Sequence, residues 1–274
     1  MAKSMTLMQK PLSNFRKLQF KFWQLAEPRA MFEWQSFYAL RWAMKRLPKG
    51  DGHPVVVFPG FASSDRATKP MRGLLNDLGY QSHGWNLGQN LLFDAQLEAE
   101  MVAMIREIHQ KEGRKVSLIG WSLGGLYARE VAKACPEAVR LVISLGSPIS
   151  GVGGHSNAKK LFRAINGKPD DLEYAMYQSL NTPPPVPTTS IYSKTDGIVA
   201  WEGSVQKRST CDSETQTENI EVPASHLGLG VNPLVMNVIA DRLAQVEGKW
   251  QPFKRKHLLR LIYKKPSKKH VELA

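Results

Sequence analysis

From Val55 to Leu145, short runs with strand character alternate with longer stretches whose apolar residues recur every three or four positions. Val55–Phe58, Gln81–Trp85, Lys115–Gly120 and Val139–Leu145 are too short for helices and predict strands. Between them, Ala67–Leu78, Asp94–Lys111 and Ser122–Ala134 predict helices, the second capped by Asp94 and the third stopped by Pro136. This alternation is the pattern of βαβ units, so a mostly parallel central sheet flanked by helices is expected.

After Gly146-Ser147-Pro148 the periodicity lapses through the glycine-rich 151–154 stretch and the proline run Pro183–Pro187, which predicts a small cap insertion at about 149–187. Strands Thr189–Ser193 and Glu218–Val222 follow, and a long helix over Asn232–Val246 closes the body. The expected organisation is a basic, aromatic-rich helical extension over residues 1–50, a body with its cap over 51–248, and a basic tail over 249–274.

Charge sharpens this division. Residues 1–50 hold ten Lys and Arg against Glu27 and Glu33, giving +8, and residues 249–274 hold nine against Glu272, again +8. The middle has 18 bases and 21 acids, so the net +13 belongs to the ends and a nucleic-acid-binding body is not expected. Two cysteines, Cys135 and Cys211, imply no disulfide framework. Phe15–Leu25 is too interrupted by charge for a signal peptide, and no run nears the roughly 18 apolar residues of a membrane span. A cytoplasmic location, with any membrane contact peripheral at the inner surface, is the expectation.

The candidate chemistry lies at the ends of predicted strands. Gly120-Trp121-Ser122-Leu123-Gly124 fits G-x-S-x-G between a strand and a helix, where a serine on a sharp turn stands clear of the sheet and its glycine neighbours leave room for the strained backbone. A serine hydroxyl is a weak nucleophile and needs a base. His226, in the turn between the last strand and the last helix, is placed to serve, whereas His155 lies in the cap and His257 and His270 lie in the tail. Asp196, just after the strand Thr189–Ser193, is placed to orient the imidazole, unlike Asp170, Asp171 or Asp212. Backbone N–H groups of Leu123 and of Phe61, in the loop Pro59-Gly60-Phe61-Ala62, are the candidate oxyanion donors. Trp121 and Trp201 either line an acyl site or pack in the core, and Leu161, Phe162, Ala164 and Ile165 of the cap offer an apolar wall.

Val55–Gly60 with Phe61, the Gly120–Gly125 elbow, and Ser190-Ile191-Tyr192-Ser193 leading to Asp196, with His226-Leu227-Gly228-Leu229 beyond, together resemble the α/β-hydrolase superfamily, in particular small bacterial lipases and esterases. The resemblance runs from about Val55 to Val246; it departs where Pro59-Gly60 stands in place of the family's usual His-Gly. It implies hydrolysis of small-molecule or lipid carboxylic esters through an acyl-enzyme on Ser122, with no metal or organic cofactor. A thioesterase or acyltransferase could use the same three residues, and a non-catalytic scaffold is a third alternative. Aspartate in place of Ser122 would have pointed to haloalkane or epoxide hydrolysis.

The ends carry a second signal. Phe15, Leu18, Phe22 and Leu25 share a helical face among Arg16, Lys17 and Lys21, and Met31, Trp34, Tyr38 and Trp42 continue an aromatic stripe. Leu258, Leu259, Leu261 and Ile262 sit among bases in the tail. Either these segments contact an anionic membrane or they pack on the body or another subunit; the oligomeric state is not encoded here.

Overall fold

The computed structural model describes residues 21–91, 95–149, 179–207, 211, 216–254 and 259–264. Residues 150–178 of the predicted cap, with Leu161, Phe162, Ala164 and Ile165 among them, lie outside these, as do His155, His257, His270, Asp94, Asp170, Asp171, Asp212, Phe15, Leu18, Leu258 and the side chain of Leu259.

Six parallel strands, β1 (Pro54–Phe58), β2 (Gln81–Gly84), β3 (Val116–Trp121), β4 (Val139–Leu145), β5 (Thr188–Tyr192) and β6 (Thr217–Glu221), form one sheet in the order β2-β1-β3-β4-β5-β6. Each predicted strand falls within a residue or two of an observed one. The helix that closes the body, Pro233–Leu243, ends three residues before the predicted Val246, and Asn232 caps its start by accepting from Leu234 N at 2.9 Å.

Both faces are covered at the centre of the sheet, so β1, β3 and β4 are buried at successive positions instead of alternating, whereas the edge strands β2 and β6 are polar and partly exposed. Val55 and Val57 point to a core shared with Leu74, Leu75, Val235 and Ile239, while Val56 and Phe58 point to the other side, against Ile105, Leu126 and Val131. Helix Leu123–Ala134 lies in that second layer, so its first residue meets the end of β3 at a turn with no slack.

The basic N-terminal segment packs on the body. It comprises a helical stretch over 21–25, a 3-10 turn over Glu27–Arg29, and helices Ala30–Ala39 and Arg41–Met44. Its buried side is Glu27, Ala30, Phe37 and Met44. The aromatic stripe read from the sequence faces mainly outward: Met31, Tyr38 and Trp42 are exposed, as are Phe22, Leu25 and Phe32, and only Trp34 reaches the core. The tail also returns to the body, where Tyr263 Oη donates to Leu234 O at 2.9 Å and the Phe253 ring meets the Tyr263 ring edge-on at 5.1 Å.

At the end of the sheet where β1 and β3 begin, His53 sits between Asp51 and Ser117, with Nδ1 2.5 Å from Asp51 Oδ1 and Nε2 2.7 Å from Ser117 Oγ. Arg140 Nη1 lies 2.8 Å from Asp51 Oδ2 and 3.1 Å from His53 Nδ1. His53 and Ser117 are fully enclosed. Burial and the nearby guanidinium outweigh Asp51 and hold the imidazole down at about 4. Between its ordinary 6.5 and that value, the unfolded chain binds a proton that the folded chain does not, so acid favours unfolding. Thermal stability should therefore fall as pH is lowered from about 6.5 to about 4, and His53→Gln should flatten that slope in differential scanning calorimetry. His83, also held low by burial, leaves part of it.

Candidate active site

At the opposite, C-terminal end of the sheet, three loops converge. Ser122 directly follows β3 and precedes helix Leu123–Ala134, with φ 54° and ψ −119°. That left-handed backbone is unfavourable for a residue bearing a Cβ and is held by packing. A Cβ on Gly120 would lie 2.2 Å from the Gly124 carbonyl oxygen, and one on Gly124 would lie 2.5 Å from that of Phe58. Gly125 is equally constrained, at 1.9 Å from Ser147 Oγ. The Ser122 amide donates to Leu145 O at 2.8 Å, which ties the turn to the end of β4.

The structure brings all three predicted side chains together. His226 Nε2 lies 3.0 Å from Ser122 Oγ, and His226 Nδ1 lies 2.6 Å from Asp196 Oδ2. Because the carboxylate can only accept, the proton sits on Nδ1, which leaves Nε2 free to accept from the serine hydroxyl. The other Asp196 oxygen accepts from the amides of Ile198 and Val199 at 2.8 and 2.7 Å, fixing the carboxylate plane. Asp196 and His226 are almost fully buried and Ser122 is 8% exposed. Burial pushes the imidazole pKa down, but the charge and hydrogen bond of Asp196, aided by the Glu27 charge, raise it overall above 6.5.

The acid and base loops are joined to one another. Ser193 Oγ and Thr195 Oγ1 both donate to Ala224 O, at 2.7 and 2.9 Å. Gly146, at φ 55°, leaves the space in which they meet: a Cβ there would be 3.0 Å from Asp196 Oδ2 and 3.3 Å from His226 Nδ1. Sequence reasoning passed over Gly146, although a glycine ending an apolar strand was the available signal.

The candidate oxyanion loop lies beside Ser122, with a Gly60 Cβ position 3.4 Å from Ser122 Cβ. Asn90 pins the loop at both ends: its Nδ2 donates to Pro59 O at 2.8 Å, its carbonyl accepts from Ala62 N at 2.7 Å, and its amide donates to Ser63 O at 2.8 Å. Ala62 takes φ 55° in this loop. Leu123 opens the helix that follows Ser122, so its amide belongs to the first turn, where N–H groups have no intrahelical acceptor. Trp121 Nε1 donates to His226 O at 3.1 Å, and the Trp201 ring stacks on Tyr192 at 5.8 Å, so each holds a neighbour of the site.

Residues 54–208, more than half of the sequence, match the palmitoyl protein thioesterase family. The chain belongs to that family. The matched stretch includes Ser122 and Asp196 and ends before His226. Among solved structures, the chain is similar to Aspergillus fumigatus lipase B, with 20% identity, a TM-score of 0.52, and coverage of 71% of this chain and 53% of that one. It thus spans about half the length of that lipase. Bacillus licheniformis lipase BlEst2 in mature form gives 20% identity and a TM-score of 0.50 over 72% of this chain and 94% of that one. Paleococcus ferrophilus monoacylglycerol lipase gives 16% identity and 0.50 over 72% and 96%. These likenesses establish an α/β-hydrolase fold, and no curated protein matches the chain in sequence.

The geometry makes two predictions. Gly124→Ala should cost about 1–3 kcal/mol in chemical denaturation by forcing the helix off the Phe58 carbonyl, and should lower serine reactivity in the folded fraction. Because a protonated His226 cannot accept from Ser122, labelling of Ser122 by a fluorophosphonate should rise with pH through a midpoint above 6.5, which a pH series of labelling rates would measure.

Proposed function

We propose that the protein hydrolyses carboxylic esters or thioesters through an acyl-enzyme on Ser122. The observation that carries this reading is the unbroken array of Ser122, His226 and Asp196, at 3.0 and 2.6 Å, on three different loops at one end of the sheet. Ser122 Oγ attacks the acyl carbon while its proton passes to His226 Nε2, and Asp196 stabilises the imidazolium. The tetrahedral oxyanion is held by the amides of Leu123 and Phe61. Its collapse breaks the bond to the leaving oxygen or sulfur, which takes the proton from His226. Water then attacks the acyl carbon, gives its proton to His226 and releases the acid, and the proton returns to Ser122. Trp121 and Trp201 provide apolar surface for the acyl chain.

The ester reading comes from the elbow and loops that resemble small lipases. A thioester reading draws support from the family match over residues 54–208. A non-catalytic scaffold would not require three ordered partners at hydrogen-bond distance. The test is fluorophosphonate labelling of wild type and Ser122→Ala, followed by turnover of matched ester and thioester substrates. Loss of labelling and of both activities in Ser122→Ala, by about 10³-fold or more, is expected. A folded wild type that takes no label would refute the reading, and the ratio of kcat/KM values assigns the leaving group.

The same reading includes contact with an anionic bilayer, which suits a lipid substrate. No helix among the described residues is long and apolar enough to cross a membrane. Phe22, Leu25, Met31, Phe32, Tyr38 and Trp42 are nevertheless exposed in a segment whose charge is +8 over residues 1–50. Flotation with anionic vesicles should recover the protein, and replacing Phe22, Leu25 and Phe32 by serine should release it. Equal recovery of both proteins would remove membrane contact from the proposal.

A further inference from the structure

Two acids stand out in the basic N-terminal segment, because both turn inward onto the loops of the candidate site. Glu27 is 6% exposed. Its Oε1 accepts from the amides of Gly197 at 2.8 Å and His226 at 3.0 Å, and its Oε2 accepts from Leu227 at 3.1 Å. One carboxylate therefore holds the residue after Asp196 and the backbone of His226 itself. Glu33 supports the same turn by accepting from Ser225 N at 2.8 Å and Ser225 Oγ at 2.6 Å. Arg29 donates to the carbonyls of Thr195 and Ala224, one on each loop.

The loops make room for this segment. A Cβ on Gly197 would lie 2.4 Å from the Trp23 carbonyl oxygen, and one on Gly228 would lie 1.2 Å from Glu33 Oε2. Backbone amides that lose such acceptors in a buried site must move to find others, and the side chains on the same residues move with them.

We propose that Glu27 is a positioning residue for hydrolysis, its carboxylate tying the loop of Asp196 to the loop of His226 and fixing their spacing. The inference rests on the reading of Ser122, His226 and Asp196 as the catalytic set. Glu27 acts in two ways that can be separated. Its reach sets the geometry of the loops, and its charge favours the imidazolium that forms as Ser122 is deprotonated. The charged groups around His226 are Asp196 and Glu27, with Glu33 on the Ser225 amide and Arg29 on the Thr195 and Ala224 carbonyls.

The experiment compares full-length wild type, Glu27→Gln and Glu27→Asp by steady-state kinetics on a chromogenic ester, by fluorophosphonate labelling, by NMR titration of His226 and by thermal denaturation. Glu27→Gln keeps the length and removes the charge, so kcat should fall about tenfold with KM little changed, and the His226 midpoint should move to lower pH. Glu27→Asp keeps the charge and loses the reach, so kcat should fall up to about 100-fold while the midpoint moves less. A lower Tm with wild-type kcat and an unmoved His226 midpoint in both variants would reduce Glu27 to a structural contact and overturn the inference. The NMR titration needs no turnover. A wild type that takes no label but whose His226 midpoint still depends on Glu27 would refute the hydrolase reading and uphold the tie between Glu27 and the base.

Discussion

Ser122 can present its hydroxyl to His226 only while its backbone stays in a left-handed conformation, at a cost of about 1–3 kcal/mol for a residue with a Cβ. The rest of the site follows from preventing its relaxation. Helix Leu123–Ala134 presses against β1 through Gly124, closely enough that one methyl group would collide with the Phe58 carbonyl. The apolar layer of Leu126 and Val131 holds that helix down, and the parallel register of β3 with β4 holds the other side of the turn. Strain is thus stored at one residue and balanced by burial spread over two layers of core.

Strand β3 supplies a comparison within the same molecule. It carries Ser117 near its start and precedes Ser122 at its end, and each serine meets a histidine that meets an aspartate. The two arrays have the same atom pattern at similar distances, 2.7 and 2.5 Å against 3.0 and 2.6 Å, and differ in their surroundings. Ser117 lies within a strand, fully enclosed, with no helix beginning after it. His53 is driven towards neutrality by burial, with Arg140 adding to it, whereas His226, though buried, is drawn towards protonation by Asp196 and Glu27. A hydrogen-bonded serine, histidine and aspartate become reactive only where the backbone exposes the oxygen and the surrounding charge favours the imidazolium.

This difference also explains what could be read from the sequence. The elbow was legible because its constraint is local: glycines four residues apart around a serine, between an apolar strand and a helix. Asp196 and His226 were legible because in a parallel sheet the loops after successive strands open on one end. The role of Glu27 was not, since its partners are backbone N–H groups 170 to 200 residues away, and an amide has no identity in a sequence. Which face of the aromatic stripe meets the body was not legible for a related reason. Helical spacing groups Met31, Trp34, Tyr38 and Trp42, but the phase that meets the body belongs to Ala30, Phe37 and Met44, and composition alone does not set phase.

The contact between Glu27 and the turn of His226 bears on the order in which the sheet and its loops assemble during synthesis. Glu27 precedes every strand of the described sheet, and the turn it supports follows β6, with His226 lying 199 residues after Glu27. A nascent chain can complete the elbow and most of the sheet while the base is still inside the ribosome, and closing so long a loop is among the slower events in folding. The Ser122 turn can therefore form early and meets His226 only after β6 has emerged, so that the hydrogen bond between them arrives late, with the closing of the sheet.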